Sequence, residues 1–105
     1  MMDTKTLIEE AKARFNHNSA KDYLKEKYEA KLLVADQGGL WRADTTTIAF
    51  LSIMANDYDD RVIMIDTFHN PVLVDRSELL SKLKTVYNDV MLEWYNEWKE
   101  LESKR

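Results

Sequence analysis

The last quarter of the chain has the clearest alternation of apolar and polar positions. From about Ser77 to near the C-terminus, large apolar side chains recur every three or four residues, which predicts a long amphipathic helix over residues 77–105. Asp75 and Glu78 match a capping box, in which each side chain binds an unpaired amide at the helix start. At 100° per residue, the apolar side chains fall within about 80° of Leu80. They are Leu83, Tyr87, Val90, Met91, Trp94, Trp98 and Leu101.

Residues 1–30 show a second helical pattern, with Asp3 in position to cap it. Asn16–Asn18 interrupts the spacing, and Ser19 with Asp22 resembles a capping box that would restart a helix. The segment therefore fits one kinked helix or two short helices. Its apolar positions before the interruption are Leu7, Ile8, Ala11 and Phe15.

Residues 31–76 predict a hairpin, a short helix and a second hairpin. The runs Leu32–Ala35 and Leu40–Ala43 flank Gly38 and Gly39, as in a β-hairpin. After Asp44, three threonines favour a strand, whereas the aspartate favours the start of a helix.

The second hairpin joins Val62–Ile65 to Val72–Val74 through Phe68–Pro71. The β-branched content of its first strand predicts a buried position. Both hairpins are followed by an aspartate and a helical pattern. This weak repeat fits either an old duplication or two hairpins that obey the same turn and capping chemistry.

The predicted fold class is α+β, with one domain over residues 1–105. It has an antiparallel sheet built from two β-hairpins, an N-terminal helical segment, a short middle helix and a long C-terminal helix. Four short strands bury little by themselves, so we expect both hairpins to join one sheet with the helices on one face. The expected centre of that sheet is Val62, Ile63, Met64, Ile65, Val72 and Val74.

Composition narrows the function classes. The 105 residues are 45% apolar and 32% charged, as in a globular domain. The net charge is −4, with basic residues scattered among acids, so a general nucleic-acid role is disfavoured. Cysteine is absent, and neither a signal segment nor a membrane-spanning run is evident. We therefore expect a cytoplasmic protein without a membrane partner.

Motifs for catalysis or metal binding are weak. The acidic run Asp57–Asp60 lacks the glycine and the closing glutamate of a calcium loop. His17 and His69 have no metal-ligand spacing, although His69 lies between Asp66 and Asp75 and could pair with a carboxylate. We predict no catalytic residue, no cofactor and no metal, and hence no enzymatic activity.

The stretch Asp66–Leu80, followed by a helix with Trp and Tyr, resembles small uncharacterised proteins of tailed bacteriophages, as does Gly38–Trp41. The resemblance implies an assembly factor or host-takeover adaptor in the host cytoplasm. It carries over no site residue.

The end of the long helix is the predicted binding surface. A helix of 28 residues spans ~42 Å, whereas a compact chain of this size has a diameter of about 34 Å. Its last turns should therefore overhang and bind a second copy, as a homodimer, or another protein. An alternative is a small nucleic-acid-associated regulatory protein that uses the hairpin face around Trp41 and Arg42, unless these form a cross-strand packing pair. The predicted partner-binding residues are Leu92, Trp94, Tyr95, Trp98 and Leu101.

Overall fold

A computed structural model describes residues 4–55 and 59–104 of the chain. Asp3, Asp57, Tyr58 and the side chain of Phe15 lie outside the described part, and so do the predictions made for them. The elements are α1 (Thr4–Lys31), β1 (Leu33–Asp36), β2 (Gly39–Arg42), α2 (Thr45–Ile53), β3 (Arg61–Ile65), β4 (Pro71–Asp75) and α3 (Arg76–Ser103).

The α+β class, the two hairpins and the three helical regions are confirmed. The single sheet is not: within the described residues, β1 pairs only with β2 and β3 only with β4, giving two separate two-stranded sheets. The hairpins are instead joined through side chains and one turn. The Gln37 amide bonds both backbone groups of Asp75, and the Asp66 carboxylate accepts the Leu40 amide. These bonds occupy strand edges that a shared sheet would have needed.

The side chains of the second hairpin alternate between buried and exposed positions; the strands are not buried on both faces. Val62, Met64, Val72 and Val74 turn inward, and Met64 and Val74 are buried. Ile63 and Ile65 are 65% and 61% exposed, so the predicted burial of the whole strand is wrong. The hairpin has helices on one face only, and the period of two in a strand sends alternate side chains to the other face.

Helix α1 is continuous through Asn16–Asn18, which settles the choice between one helix and two. It runs antiparallel to α3, since His17 contacts Glu102 and Lys31 contacts Glu93. Because His17 lies level with the end of α3, the overhanging segment is the start of α1. The expected overhang of α3 is therefore wrong, and the molecule extends 71 Å along its longest axis.

Aspartate caps begin the other two helices. Asp44 accepts the Thr47 amide at 2.9 Å, so α2 is a helix despite its three threonines. Asp75 accepts the Glu78 amide at 3.0 Å, which confirms Asp75 as the cap of α3. The reciprocal bond of the predicted capping box is wrong, because the Asp75 amide donates to the Gln37 side chain and not to Glu78. The core between these elements consists of Leu24, Tyr28, Leu32, Val34, Trp41, Ala43, Leu51, Met64, Val74, Leu79, Leu83 and Val90.

Candidate interaction surface

One face of the C-terminal half of α3 packs on α1. The ring of Trp94 stacks on Tyr28, with 5.9 Å between centroids and 11° between planes. Glu97 accepts hydrogen bonds from the Lys27 ammonium at 2.6 Å and from the Tyr28 hydroxyl. Tyr28 is buried by this packing, so this face of α3 is used within the chain.

The contacts of Glu97 with Lys27 and Tyr28 shift the pKa values of all three groups. The Lys27 ammonium, and then the Tyr28 hydroxyl, hold the pKa of Glu97 below its usual value. The hydrogen bond to Glu97 in turn raises the pKa of Lys27 and that of Tyr28. A pair of Lys31 with Glu93 at 3.0 Å adds a further ionic contact along the two helices. The register of α1 against α3 is thus fixed by charge as well as by ring stacking.

A second face of α3 carries Leu92, Tyr95 and Trp98, which we call the aromatic stripe. These side chains are 62%, 53% and 39% exposed. Tyr95 and Trp98 stack on each other at 6.1 Å, and the Lys99 ammonium lies 5.5 Å from the centre of the Tyr95 ring. The three residues are spaced by three, so they follow one side of the helix. Large apolar side chains here meet solvent in a single continuous strip.

The five predicted partner-binding residues therefore divide into two groups. Leu92, Tyr95 and Trp98 face outward, whereas Trp94 and Leu101 are half-buried and pack against the core. The sequence pattern was centred on Leu80, but the buried side of α3 is centred nearer Leu79 and Leu83. That rotation moves Trp94 and Leu101 toward α1 and leaves the aromatic stripe free.

The alternative surface around Trp41 is not available for stacking. Trp41 is 2% exposed, and its indole N–H donates to the Asp36 carbonyl at 2.8 Å. The ring lies so close over Gly39 that a Cβ there would come within 2.5 Å of it. The cross-strand packing interpretation is the correct one, and of this pair only Arg42 is exposed.

Asp66 is the one buried charged side chain within the described residues. It accepts the backbone amides of Phe68, Asn70 and Leu40 at 3.0 to 3.3 Å. The Asn70 amide is the main cause that lowers the pKa of Asp66, and the amides of Leu40 and Phe68 add to the shift. Because all three partners are backbone groups, this carboxylate organises a turn and links two hairpins.

The other candidate acids are also engaged in the fold. Asp59 pairs with Arg61 at 2.9 Å, and Asp60 pairs with Arg76 at 2.6 Å. Asp75, the second possible partner of His69, caps α3. Among the described residues, no cluster of three His, Cys, Asp or Glu side chains could hold a metal ion.

Comparisons with protein families, with curated proteins and with solved structures return no match for this chain. None of the helices in the described residues has the length and apolar character needed to cross a bilayer.

Proposed function

We propose that this chain is a non-enzymatic interaction protein that binds another protein through the aromatic stripe. The observation that carries the proposal is the exposure of Leu92, Tyr95 and Trp98 side by side on a helix already anchored by its other face. Tyr and Trp are the residues most enriched at interface hot spots. Apolar side chains that line one side of a helix are the usual anchors for a helix or groove of a partner.

Charges of both signs border the stripe. At 100° per residue, Lys99 and Glu102 lie on the same side of α3 as Tyr95. Asp89 is three residues before Leu92 and therefore lies beside it. The proposal therefore rests on the apolar side chains of the stripe and not on the charge of a partner.

The resemblance to small phage proteins supports the same class of function, since assembly factors and host-takeover adaptors act by binding. We therefore place this chain in the adaptor or assembly class. We propose no role for it in catalysis.

The test compares Trp98→Ala with a matched control, Tyr23→Ala, which removes an exposed aromatic from α1 instead. Proteins captured from a host lysate by immobilised wild-type chain would be identified, purified and titrated against each variant. We expect Trp98→Ala to weaken binding by roughly 30-fold or more, as for a hot-spot residue of about 2 kcal/mol. Tyr23→Ala should bind within a factor of two of wild type.

Denaturant melts of both variants separate binding from folding. Trp98 is partly exposed, so its removal should leave the cooperative transition intact. A purified partner that binds the Trp98→Ala and wild-type chains equally would contradict the proposal.

A further inference from the structure

The outward edge of β3 can be located from its hydrogen bonds. Both backbone groups of Asp75 bond the Gln37 side chain, so Asp75 does not exchange hydrogen bonds with Arg61, which faces it in the ladder. In an antiparallel pair, bonded and non-bonded positions alternate. The pair Ile63 with Leu73 is therefore non-bonded too, as is the pair of Ile65 with Pro71. The N–H and C=O groups of Ile63 and Ile65 consequently point away from β4.

Two other strand edges of this protein are partly covered. On β4, Gln37 occupies Asp75, and Pro71 has no N–H to offer, although among the described residues no bond covers Leu73 between them. On β2, Leu40 is bonded by the Asp66 carboxylate and by the Thr67 amide. Such coverage hinders the pairing of an edge with another chain.

The β3 edge lacks these devices. From Val62 to Ile65 the strand has no charge and no proline, and within the described residues the outward groups of Ile63 and Ile65 have no hydrogen-bond partner. Charge, proline and covering loops are the usual protection of an edge strand. An unprotected edge of β-branched residues is a template for strand addition.

The surroundings of this edge are apolar and uncharged. An open cleft beside β3 is lined by Ile63–Ile65 and by Thr46, Thr47 and Phe50 of α2. Helix α2 has no charged residue, and of its apolar side chains only Leu51 is buried. The large exposed side chains of this cleft are Phe50, Ile63 and Ile65.

We propose that β3 pairs with β3 of a second copy, antiparallel about a two-fold axis, to form a four-stranded sheet β4–β3–β3–β4. The outward groups of Ile63 and Ile65 are self-complementary in this arrangement, as a two-fold interface requires. Residues whose backbone groups point away from β4 must pair with the same kind of residue in the second copy. Ile63 therefore lies opposite Ile63 or Ile65 of that copy. This dimer is independent of the aromatic stripe and leaves one stripe on each copy for a partner.

Charge fits a second copy. The paired segments are neutral, and the flanking Arg61 is already neutralised by Asp59, so two identical edges meet without repulsion.

The test uses two matched proline variants of the full chain. Ile63→Pro removes an outward N–H, as Pro71 already does on the neighbouring strand, so the internal ladder stays intact. Ala35→Pro does the same on β1, because Ala35 faces Leu40, whose backbone groups are both bonded outside that hairpin. Sedimentation across a concentration series measures association, and urea melts confirm folding.

We expect a concentration-dependent dimer for wild type and for Ala35→Pro. Ile63→Pro should weaken association at least tenfold with its unfolding transition retained. If Ile63→Pro does not fold, Ile63→Lys replaces it, since like charges would then face each other across the axis. The amides of Ile63 and Ile65 should also exchange hydrogen more slowly as the dimer forms.

Two results would overturn the proposal. One is a wild-type chain that stays monomeric at millimolar concentration. The other is a dimer that Trp98→Ala abolishes and Ile63→Pro leaves unchanged, because that dimer would form through α3. Loss of partner binding by Trp98→Ala with the dimer intact would instead support two separate surfaces.

Discussion

The two hairpins share a local plan but have different surroundings. Each is two antiparallel strands followed by an aspartate that caps a helix, Asp44 in the first and Asp75 in the second. The first hairpin buries Trp41 and Val34 in the core. The second buries one face and exposes Ile63 on the other. Each hairpin therefore buries one face, but the outer face of the second carries more large apolar side chains, Ile63, Ile65 and Leu73, than that of the first, where Leu33 is the exposed large one.

The difference arises from what lies beside each strand. The turn after β3 supplies Asp66 and Thr67 to the edge of β2, and the turn after β1 supplies Gln37 to the edge of β4. Each hairpin thus covers one edge of the other. Helix α2 lies beside the edge of β3 but leaves an open cleft between them.

Among the changes that test this difference, truncation of Trp41 should lower the free energy of unfolding most. Trp41→Ala removes a fully buried ring and its N–H bond to Asp36. Such changes cost about 3–5 kcal/mol, which denaturant melts would measure. Leu73→Ala, on the exposed face of the second hairpin, should stay within about 0.5 kcal/mol. Equal losses would mean that the Leu73 side chain is buried in solution.

Asp66 gives a pH-dependent link between the hairpins. Its pKa is lowered in the folded chain, so its contribution to stability is present above the ordinary aspartate pKa and is lost as pH falls through the lowered value. Asp66→Asn can keep the bonds to Phe68 and Asn70 through Oδ1, but its NH₂ group would face the Leu40 amide. We expect lower stability at neutral pH, by less than for Trp41→Ala, and a shallower loss toward acid.

Thermal melts from pH 7 to pH 3 check this expectation. Some acid dependence should remain in the variant, because the pKa values of Asp59, Asp60 and Glu97 are also lowered. Parallel pH curves for the variant and wild type would show that Asp66 does not titrate with folding.

Substitution of Gln37 should cause the smallest loss of stability of the three contacts tested, after Trp41 and Asp66. Gln37→Ala removes two neutral hydrogen bonds to Asp75 and should cost about 1–2 kcal/mol. Gln37→Lys is the matched control, since an ammonium can still donate to the Asp75 carbonyl but cannot accept its N–H. Urea melts should rank wild type, Gln37→Lys and Gln37→Ala in order of falling stability. Equal stability of the alanine and lysine variants would mean that the bond to the Asp75 carbonyl contributes nothing, and a wild type no more stable than the alanine variant would mean that neither bond stabilises the contact between the hairpins.

The local elements were predictable because their causes are local. Asp44 and Asp75 bind amides within their own helix starts. The Gly38-Gly39 pair marked the first hairpin, but the turn lies one residue earlier: Gln37 and Gly38 have the positive φ angles, and Gly39 begins β2 opposite Asp36. The aromatic stripe was predicted in part, because residue types mark an interface. Which side of α3 they occupy depends on the position of α1.

The sequence by itself determined the α+β class, the order of the elements, the amphipathic character of α3 and the residue types of a binding surface. Periodicity, capping and turn chemistry act over a few residues, so they can be recognised in the sequence. The tertiary structure alone decided the division into two sheets, the burial of Trp41, the pairing of Trp94 with Tyr28 and the uncovered edge at Ile63. These depend on side chains such as Gln37 and Asp66, whose partners in the other hairpin lie 26 or more residues away and leave no periodic signal.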